Sequence, residues 1–510
     1  MCVNYVGVKG AMVVLAADDP GPISSQTEQD TRHFGQYARI PVLDPVSPED
    51  AYEMVQDAFE LSERLGTPVI LRPTTRVCHS CASICVAPRA KTPALGNFEK
   101  DMKRWVIFPS LSHAAKQKLF LREAQLAQEL SDYRYNTVRG DGKLGVICGG
   151  VSAAYVRDAL AELGVSCRVM TVATPYPFPE KLALSFVQGL EAVLCLEELD
   201  PVLEDALIAL RGKTGFAAKV LGKRTGDTII AGENSHAIVK RQLEAFFGLA
   251  PSRIPALEPD APALAVRPPI LCAGCPHRAS FYAVKQAMKG QKAVFSGDIG
   301  CYTLGNAAPL LMTDTCLCMG AGITIAQGMA RAGDDAVHIG FVGDSTFFHS
   351  GVTNLINAVY NQTDILVVIL DNATTAMTGH QPHPGIGKTM MGAVGEKISI
   401  EKLVQAIGVA SLRVVNPLDL EQSAQAVAQA AQEKGVRVVI MRAPCVAIVK
   451  HKKALVVSEA CRKCQKCIRE LGCPALSLQD GKAQIEPGLC TGCGLCSQVC
   501  PFDAIGEGRA

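Results

Sequence analysis

The sequence lacks a surplus of either charge: 50 basic residues stand against 49 acidic ones, a formal net charge of +1. That balance excludes a nucleic-acid or anionic-membrane surface as the main partner, because both call for a basic field. It also lacks any run of about 18 apolar residues, so no segment is expected to span a membrane. A leader is not expected either. The opening "MCVNYVGVKGAMVVLAADD" has only a short apolar core, followed at once by acidic residues, and reads as a buried strand. Internal repeats are missing, apart from a duplicated cysteine motif near the C-terminus.

Cysteine is what the chain has in quantity, 21 in 510 residues. In a small secreted domain that would signal disulfides. This chain is long and its cysteines cluster as C-x-x-C, which favours metal or cluster ligation in a reducing cytoplasm.

Apolar β-branched runs alternate with helical patterns, which reads as α/β with mostly parallel sheets. A first unit over 1–88 holds the strand "GAMVVLAAD", a helix near 48–65 and the strand "TPVILRP". Residues 89–140 look like a connector. A second unit over 141–250 opens with "KLGVICGGVSAAYVRDALAELG", a strand, a glycine turn and a helix. Residues 251–269 carry six prolines in nineteen positions and read as a linker. A third α/β unit spans 270–450, and a small cysteine-rich domain occupies 455–510.

That tail reads Cys461-x2-Cys464-x2-Cys467-x5-Cys473-Pro and Cys490-x2-Cys493-x2-Cys496-x3-Cys500-Pro. In the two-cluster bacterial pattern three close thiolates bind one iron–sulfur cube and the fourth cysteine crosses to the other. Cluster one then takes Cys461, Cys464, Cys467 and Cys500; cluster two takes Cys490, Cys493, Cys496 and Cys473. A pair of zinc sites competes, but three sulfurs crowded as C-x2-C-x2-C are seldom used by tetrahedral zinc.

Upstream, "GFVGDSTFFHSGVTNLINAVYNQTDILVVILDNATTAMTGHQ" contains two strands ending in polar residues. Gly343-Asp344-Ser345 closes the first and Asp371-Asn372 the second, which puts both at the carboxyl edge of a parallel sheet, where such sheets bind ligands. Asp344, Asn372 and the Thr374 carbonyl offer hard oxygens suited to Mg2+ holding a diphosphate. The competing reading is that Asp344 and Asn372 only cap turns.

This pair resembles the thiamine diphosphate motif, GDG followed at similar spacing by NN. Ser345 replaces the last Gly and Asp371 the first Asn, as in the 2-oxoacid:ferredoxin oxidoreductase branch. The resemblance implies cofactor contacts from Gly343, Asp344, Ser345, Asn372 and Thr374, with Cys318 and Gly320 in the loop "CLCMGAGI" beside the diphosphate. It also implies why the tail exists: thiamine chemistry on a 2-oxoacid releases CO2 and leaves electrons that depart singly, which iron–sulfur clusters accept.

"ADDPGPISSQTEQDTR" (17–32), "CAGCPHR" (272–278), "DIGCYTLG" (298–305), "CMGAGI" (318–323), "GDSTFFHSG" (343–351), "MTGHQPHPG" (377–385) and the double tail together resemble the indolepyruvate ferredoxin oxidoreductase alpha-subunit family, over essentially the whole chain. The family implies oxidative decarboxylation of arylpyruvates to aryl-acetyl-CoA with reduction of ferredoxin. It further implies coenzyme A as co-substrate, a smaller beta subunit, a hetero-oligomer and a cytoplasmic setting. By likeness to pyruvate:ferredoxin oxidoreductases, Cys272, Cys275, Cys301 and Cys445 hold a third [4Fe–4S] cluster. On spacing alone that C-x-x-C reads equally as a turn and the others as small buried residues.

Other cysteines carry less. Cys78-x2-Cys81-x3-Cys85, with His79, has a zinc-like look; Cys316 is expected to pack beside the cofactor; Cys148, Cys167 and Cys195 lie in or next to apolar runs and are expected in the core. The family pattern begins with a longer N-terminal segment that carries the Glu protonating the thiamine aminopyrimidine. Here that Glu has no counterpart, so no catalytic acid is named. Glu28 is the best remaining candidate, and a misplaced start or a truncated subunit would account for the difference. The competing functions are a non-oxidative thiamine enzyme, an oxidoreductase for another 2-oxoacid, and an electron-transfer subunit with an impaired thiamine site. The eight tail cysteines oppose the first, and the intact Asp344–Asn372 pair the last.

Overall fold

A computed structural model describes every residue except 23, 24, 26, 87–95, 97, 253–263, 265, 266, 334, 509 and 510. Most of the proline-rich segment and the start of the expected connector therefore lie outside the described residues. The chain divides into two compact units, Met1–Ala261 and Pro262–Ala510.

The first unit contains two sheets. β1 (Val13–Leu15), β2 (Val42–Leu43) and β3 (Val69–Leu71) run parallel in the order β1–β3–β2. The helix Pro48–Leu65 starts where Ser47 Oγ accepts from the Asp50 amide and Pro48 presets the first turn; it stops at Gly66, φ 61°. Its Met54, Ala58 and Leu61, spaced one helical turn apart, pack on Leu43, Val69 and Leu71. The helix Pro109–Leu130 adds Leu126 and Leu130 to this core.

The opening stretch departs from the buried strand expected of it. It forms a short helix, Cys2–Val6, and then β1, whose Val14 and Leu15 are 39% and 69% exposed. Among the described residues β1 pairs only with β3, so it is an edge strand with one flank unpaired.

β4 (Thr137–Arg139), β5 (Leu144–Gly149), β6 (Arg168–Val172), β7 (Ala192–Leu196) and β8 (Lys219–Leu221) form the second sheet in the order β4–β6–β5–β7–β8. Only the edge strand β4 is antiparallel. Helices cover both faces, and the core takes in Cys148, Cys167 and Cys195, whose thiols are pushed up in pKa by burial.

In the second unit β9 (Ala293–Ser296), β10 (Val337–Gly343), β11 (Ile365–Asp371), β12 (Ser411–Val415) and β13 (Val436–Arg442) are all parallel, ordered β12–β13–β11–β10–β9. β11 shows why. Its "ILVVIL" is apolar at every position, so Leu366, Val368 and Leu370 face one helical layer and Ile365, Val367 and Ile369 the other. The tail follows as two antiparallel pairs, β14 (Leu455–Val457) with β17 (Ile505–Glu507) and β15 (Leu476–Gln479) with β16 (Lys482–Ile485). Its Leu471, Leu495 and Val499 join the core of the five-stranded sheet. Among the described residues no helix is long and apolar enough to cross a membrane.

Candidate active site

Asp298, just past β9, organises the carboxyl edge of the five-stranded sheet. It is buried, and its Oδ1 accepts from the Gly320 amide (2.6 Å) while Oδ2 accepts from the Tyr302 hydroxyl (3.1 Å) and the Gly343 amide (3.4 Å). One carboxylate thus ties the end of β10 to the turn entering the helix Ala321–Ala332. Gly320 sits there at φ 86°, and a Cβ on it would lie 2.2 Å from Ser350 Oγ, so only glycine allows that close turn. The helix beyond it turns the positive end of its dipole towards this edge, which suits a phosphate.

β10 and β11 lie in parallel register, with Gly343 opposite Leu370. Asp344, Asn372 and Thr374 are all buried at their ends. Asp344 Oδ1 accepts from the Ser345 amide (2.8 Å) and Oδ2 from the Asn372 amide (3.1 Å). One end of the Asn372 side-chain amide lies 2.8 Å from the Thr374 carbonyl oxygen and 3.3 Å from Asp344 Oδ2; its other end lies 3.3 Å from His277 Nε2. With oxygen at the first end, three oxygens converge with no donor between them, the arrangement a small divalent cation takes. With nitrogen there, the amide itself donates to the other two.

Two histidines that the sequence reading did not single out lie against this group of oxygens. Burial pulls His277 down to about 4, only partly opposed by the Asp344 carboxylate, so its imidazole is neutral. His383 Nδ1 accepts from the Gly385 amide (3.2 Å), and its ring stacks on Phe348. Its buried Nε2 stands 3.1 Å from Asp344 Oδ2 yet off hydrogen-bond geometry, a polar atom left without a partner. Both residues lie inside motifs, "CPHR" and "HQPHPG", but nothing in the spacing says that they meet Asp344.

The remaining candidates fall as follows. Ser345 Oγ accepts from Thr375 Oγ1 (2.9 Å). Asp371 turns away from the oxygen group and accepts from Arg442 Nε (2.6 Å). Cys318 is exposed and Cys316 half-buried in the loop before Gly320. In the other unit, Glu28 Oε1 accepts from the backbone amides of Gly21 and Gly232, both at 2.7 Å. That oxygen latches two loops together. Cys78, Cys81 and Cys85 are exposed, and among the described residues no three cysteine sulfurs come within 4.8 Å of one another. A single tetrahedral ion would need such a group.

The tail cysteines gather in two sets of four. One cavity is lined by Cys473, Cys490, Cys493 and Cys496, and a second by Cys461, Cys464, Cys467 and Cys500. Each thus draws three thiols from one motif and the fourth from the other. The Cys272–Cys275 loop borders the first cavity through Gly274. Cys301 opens a 3-10 turn after β9, and Cys445, after β13, donates its amide to the Asn372 carbonyl (2.9 Å). Both thiols are raised in pKa by burial, with the Cys272 sulfur near enough to add to the effect.

Residues 298–441 match the family described as "Thiamine pyrophosphate enzyme, C-terminal TPP binding domain", and residues 483–506 match "4Fe-4S binding domain". The "Indolepyruvate oxidoreductase subunit IorA" of Methanothermobacter thermautotrophicus is 40% identical over 99% of this chain and 83% of that protein. Its namesakes from Thermococcus kodakarensis and Pyrococcus abyssi are each 37% identical, covering 98% and 100% of this chain and 82% and 84% of theirs. Likeness of this degree along nearly the whole sequence carries the conclusion that the chain belongs to the indolepyruvate oxidoreductase subunit IorA family.

Proposed function

We propose that this chain is the thiamine-diphosphate-binding subunit of a 2-oxoacid:ferredoxin oxidoreductase acting on arylpyruvates, with coenzyme A as acyl acceptor and ferredoxin as electron acceptor. A smaller beta subunit completes the enzyme as a hetero-oligomer. The observation that carries the reading is the convergence of Asp344, the Asn372 amide and the Thr374 carbonyl in one folded unit with two cavities lined by four cysteines each. The names of the relatives support the arylpyruvate part.

In this reading Asp344, Asn372 Oδ1 and the Thr374 carbonyl hold Mg2+, and the Gly343–Ser345 turn with the Cys318–Gly320 loop faces the diphosphate. The donor set fits: few protein oxygens, with room left for phosphate oxygens and water. Thiamine diphosphate bound there supplies the electron sink for loss of CO2 from a 2-oxoacid. The chain's own residues prepare that site. Asp298 fixes the two phosphate-facing turns against each other. Arg442 keeps the Asp371 carboxylate away from the anionic cofactor. His277, neutral because buried, orients the Asn372 amide without adding charge.

Cys461, Cys464, Cys467 and Cys500 hold one [4Fe–4S] cluster, and Cys473, Cys490, Cys493 and Cys496 a second. Cys272, Cys275, Cys301 and Cys445 hold a third, nearest the thiamine. Gly274 supports a relay between the last two: at φ 74° its loop comes so close that a Cβ would lie 2.0 Å from Thr491 Oγ1. Exposed Cys464 marks the set from which ferredoxin takes electrons.

The test is reduction of a viologen dye by the assembled enzyme given coenzyme A and one of indolepyruvate, phenylpyruvate, pyruvate or 2-oxoglutarate. Turnover with the aryl substrates at the highest kcat/KM is expected. Turnover confined to pyruvate or 2-oxoglutarate would refute the arylpyruvate assignment.

A further inference from the structure

Arg278 follows Cys275 by three residues and is 3% exposed. Its guanidinium is held by backbone carbonyls: Nη1 donates to Leu471 (2.6 Å) and Gly472 (2.9 Å), and Nη2 donates to Leu271 (2.5 Å). Among the described residues, its buried Nε–H has no hydrogen-bond partner. Among the described residues it forms no ion pair with a carboxylate. Burial lowers its pKa, and the charges that most oppose this belong to the thiols of Cys473, Cys275, Cys272 and Cys493.

A buried cation held only by carbonyl dipoles is costly unless a counter-charge completes the site. The cavity that Arg278 lines is also lined by Cys473, Cys490, Cys493 and Cys496. A cube held by those four thiolates would be an anion, and would supply the opposite charge beside Arg278. The same side chain grips the Leu471–Gly472 carbonyls just before Cys473, while Tyr282, one helical turn further on, donates to Glu470 (2.6 Å). The helix Pro276–Ala287 therefore carries both the charge and the clamp.

We propose that Arg278 is the fixed counter-charge of the cluster held by Cys473, Cys490, Cys493 and Cys496, raising its reduction potential and locking its loop against the Cys272–Cys275 loop. This rests on the cluster assignment above. One-electron reduction adds a negative charge to the cube beside a permanent positive one, so the reduced form gains more from Arg278 than the oxidised form does. The cluster of Cys461, Cys464, Cys467 and Cys500 does not share that cavity and is affected less.

The experiment is a potentiometric titration of the holoprotein followed by electron paramagnetic resonance, with iron analysis, on the wild type and on R278Q, R278K and C493S. Iron that does not fall in C493S faults the cluster assignment, whatever Arg278 does. R278Q keeps amide donors for the carbonyls but loses the charge. At fixed potential the reduced-to-oxidised ratio of this cluster is expected to fall about tenfold, 59 mV for one electron. R278K is expected to stay close to wild type. An R278Q protein with full iron and an unmoved midpoint overturns the proposal. If R278Q fails to assemble the cluster and R278K assembles it at the wild-type midpoint, the charge role stands. If both fail alike, or both shift alike, charge is not what the residue supplies and the proposal falls.

Discussion

Asp344 and Asp371 lie at the ends of neighbouring strands, and both are acidic in the same motif, yet they do different work. Asp344 points into the oxygen group, whereas Asp371 is neutralised by Arg442, which also reaches Glu401. Asp344→Ala is expected to weaken retention of thiamine diphosphate and Mg2+ by at least about tenfold, since even residues behind a metal's direct ligands cost that much. Asp371→Asn is expected to keep the cofactor. Cofactor content after gel filtration, with equal loss in both variants as the contrary result, separates the two. In the other unit, burial lifts Glu198 to about 7, against the pull of the Asn234 amide and Arg72. Its folded pKa exceeds its unfolded one, so the folded state holds the proton more tightly. Stability is therefore fully present below about 4.5 and is lost as pH rises to 7, by up to about 3 kcal/mol. Glu198→Gln removes that slope, and melting curves between pH 5 and 8 should show a flatter midpoint than wild type.

At the scale of elements, the site is a meeting of strand ends and one helix start. Asp298 accomplishes this by accepting from Gly320 and Gly343 together. Gly320→Ala would strain a left-handed turn and drive a methyl group into Ser350. The expected result is about 1–3 kcal/mol of lost stability, together with weaker diphosphate retention. Thermal melting and cofactor content measure the two effects, and unchanged values in both would remove this account of the turn. The strands themselves were legible beforehand: the all-apolar run of β11 and the polar residues closing β10 and β11 announce a parallel sheet with a ligand edge. The opening stretch was not, because alternation and apolarity report how a strand packs only when it has neighbours on both sides, and β1 has one.

For the whole molecule, the two units divide the chemistry unequally. All twelve candidate iron–sulfur cysteines lie after residue 262, while the first unit buries an ion network, in which Arg32 pairs with Glu197 (2.7 Å) and Arg72 with Asp18 (2.6 Å). Iron analysis of the anaerobically purified chain is expected to give about twelve irons, four for each cube. A value of about eight would leave Cys272, Cys275, Cys301 and Cys445 as ordinary thiols.

The chain order alone determined the class of fold, the family and the doubled cysteine spacing of the tail, because strand ends, turn residues and closely spaced thiols are properties of short stretches. Tertiary structure alone decided that His277 and His383 reach Asp344, that Asp371 spends its charge on Arg442, and that Arg278 faces a cavity of thiols. Those contacts join residues tens to hundreds of positions apart, and what they do depends on burial: a histidine kept neutral, or a guanidinium left without a carboxylate, acquires its role only once water has been removed from around it.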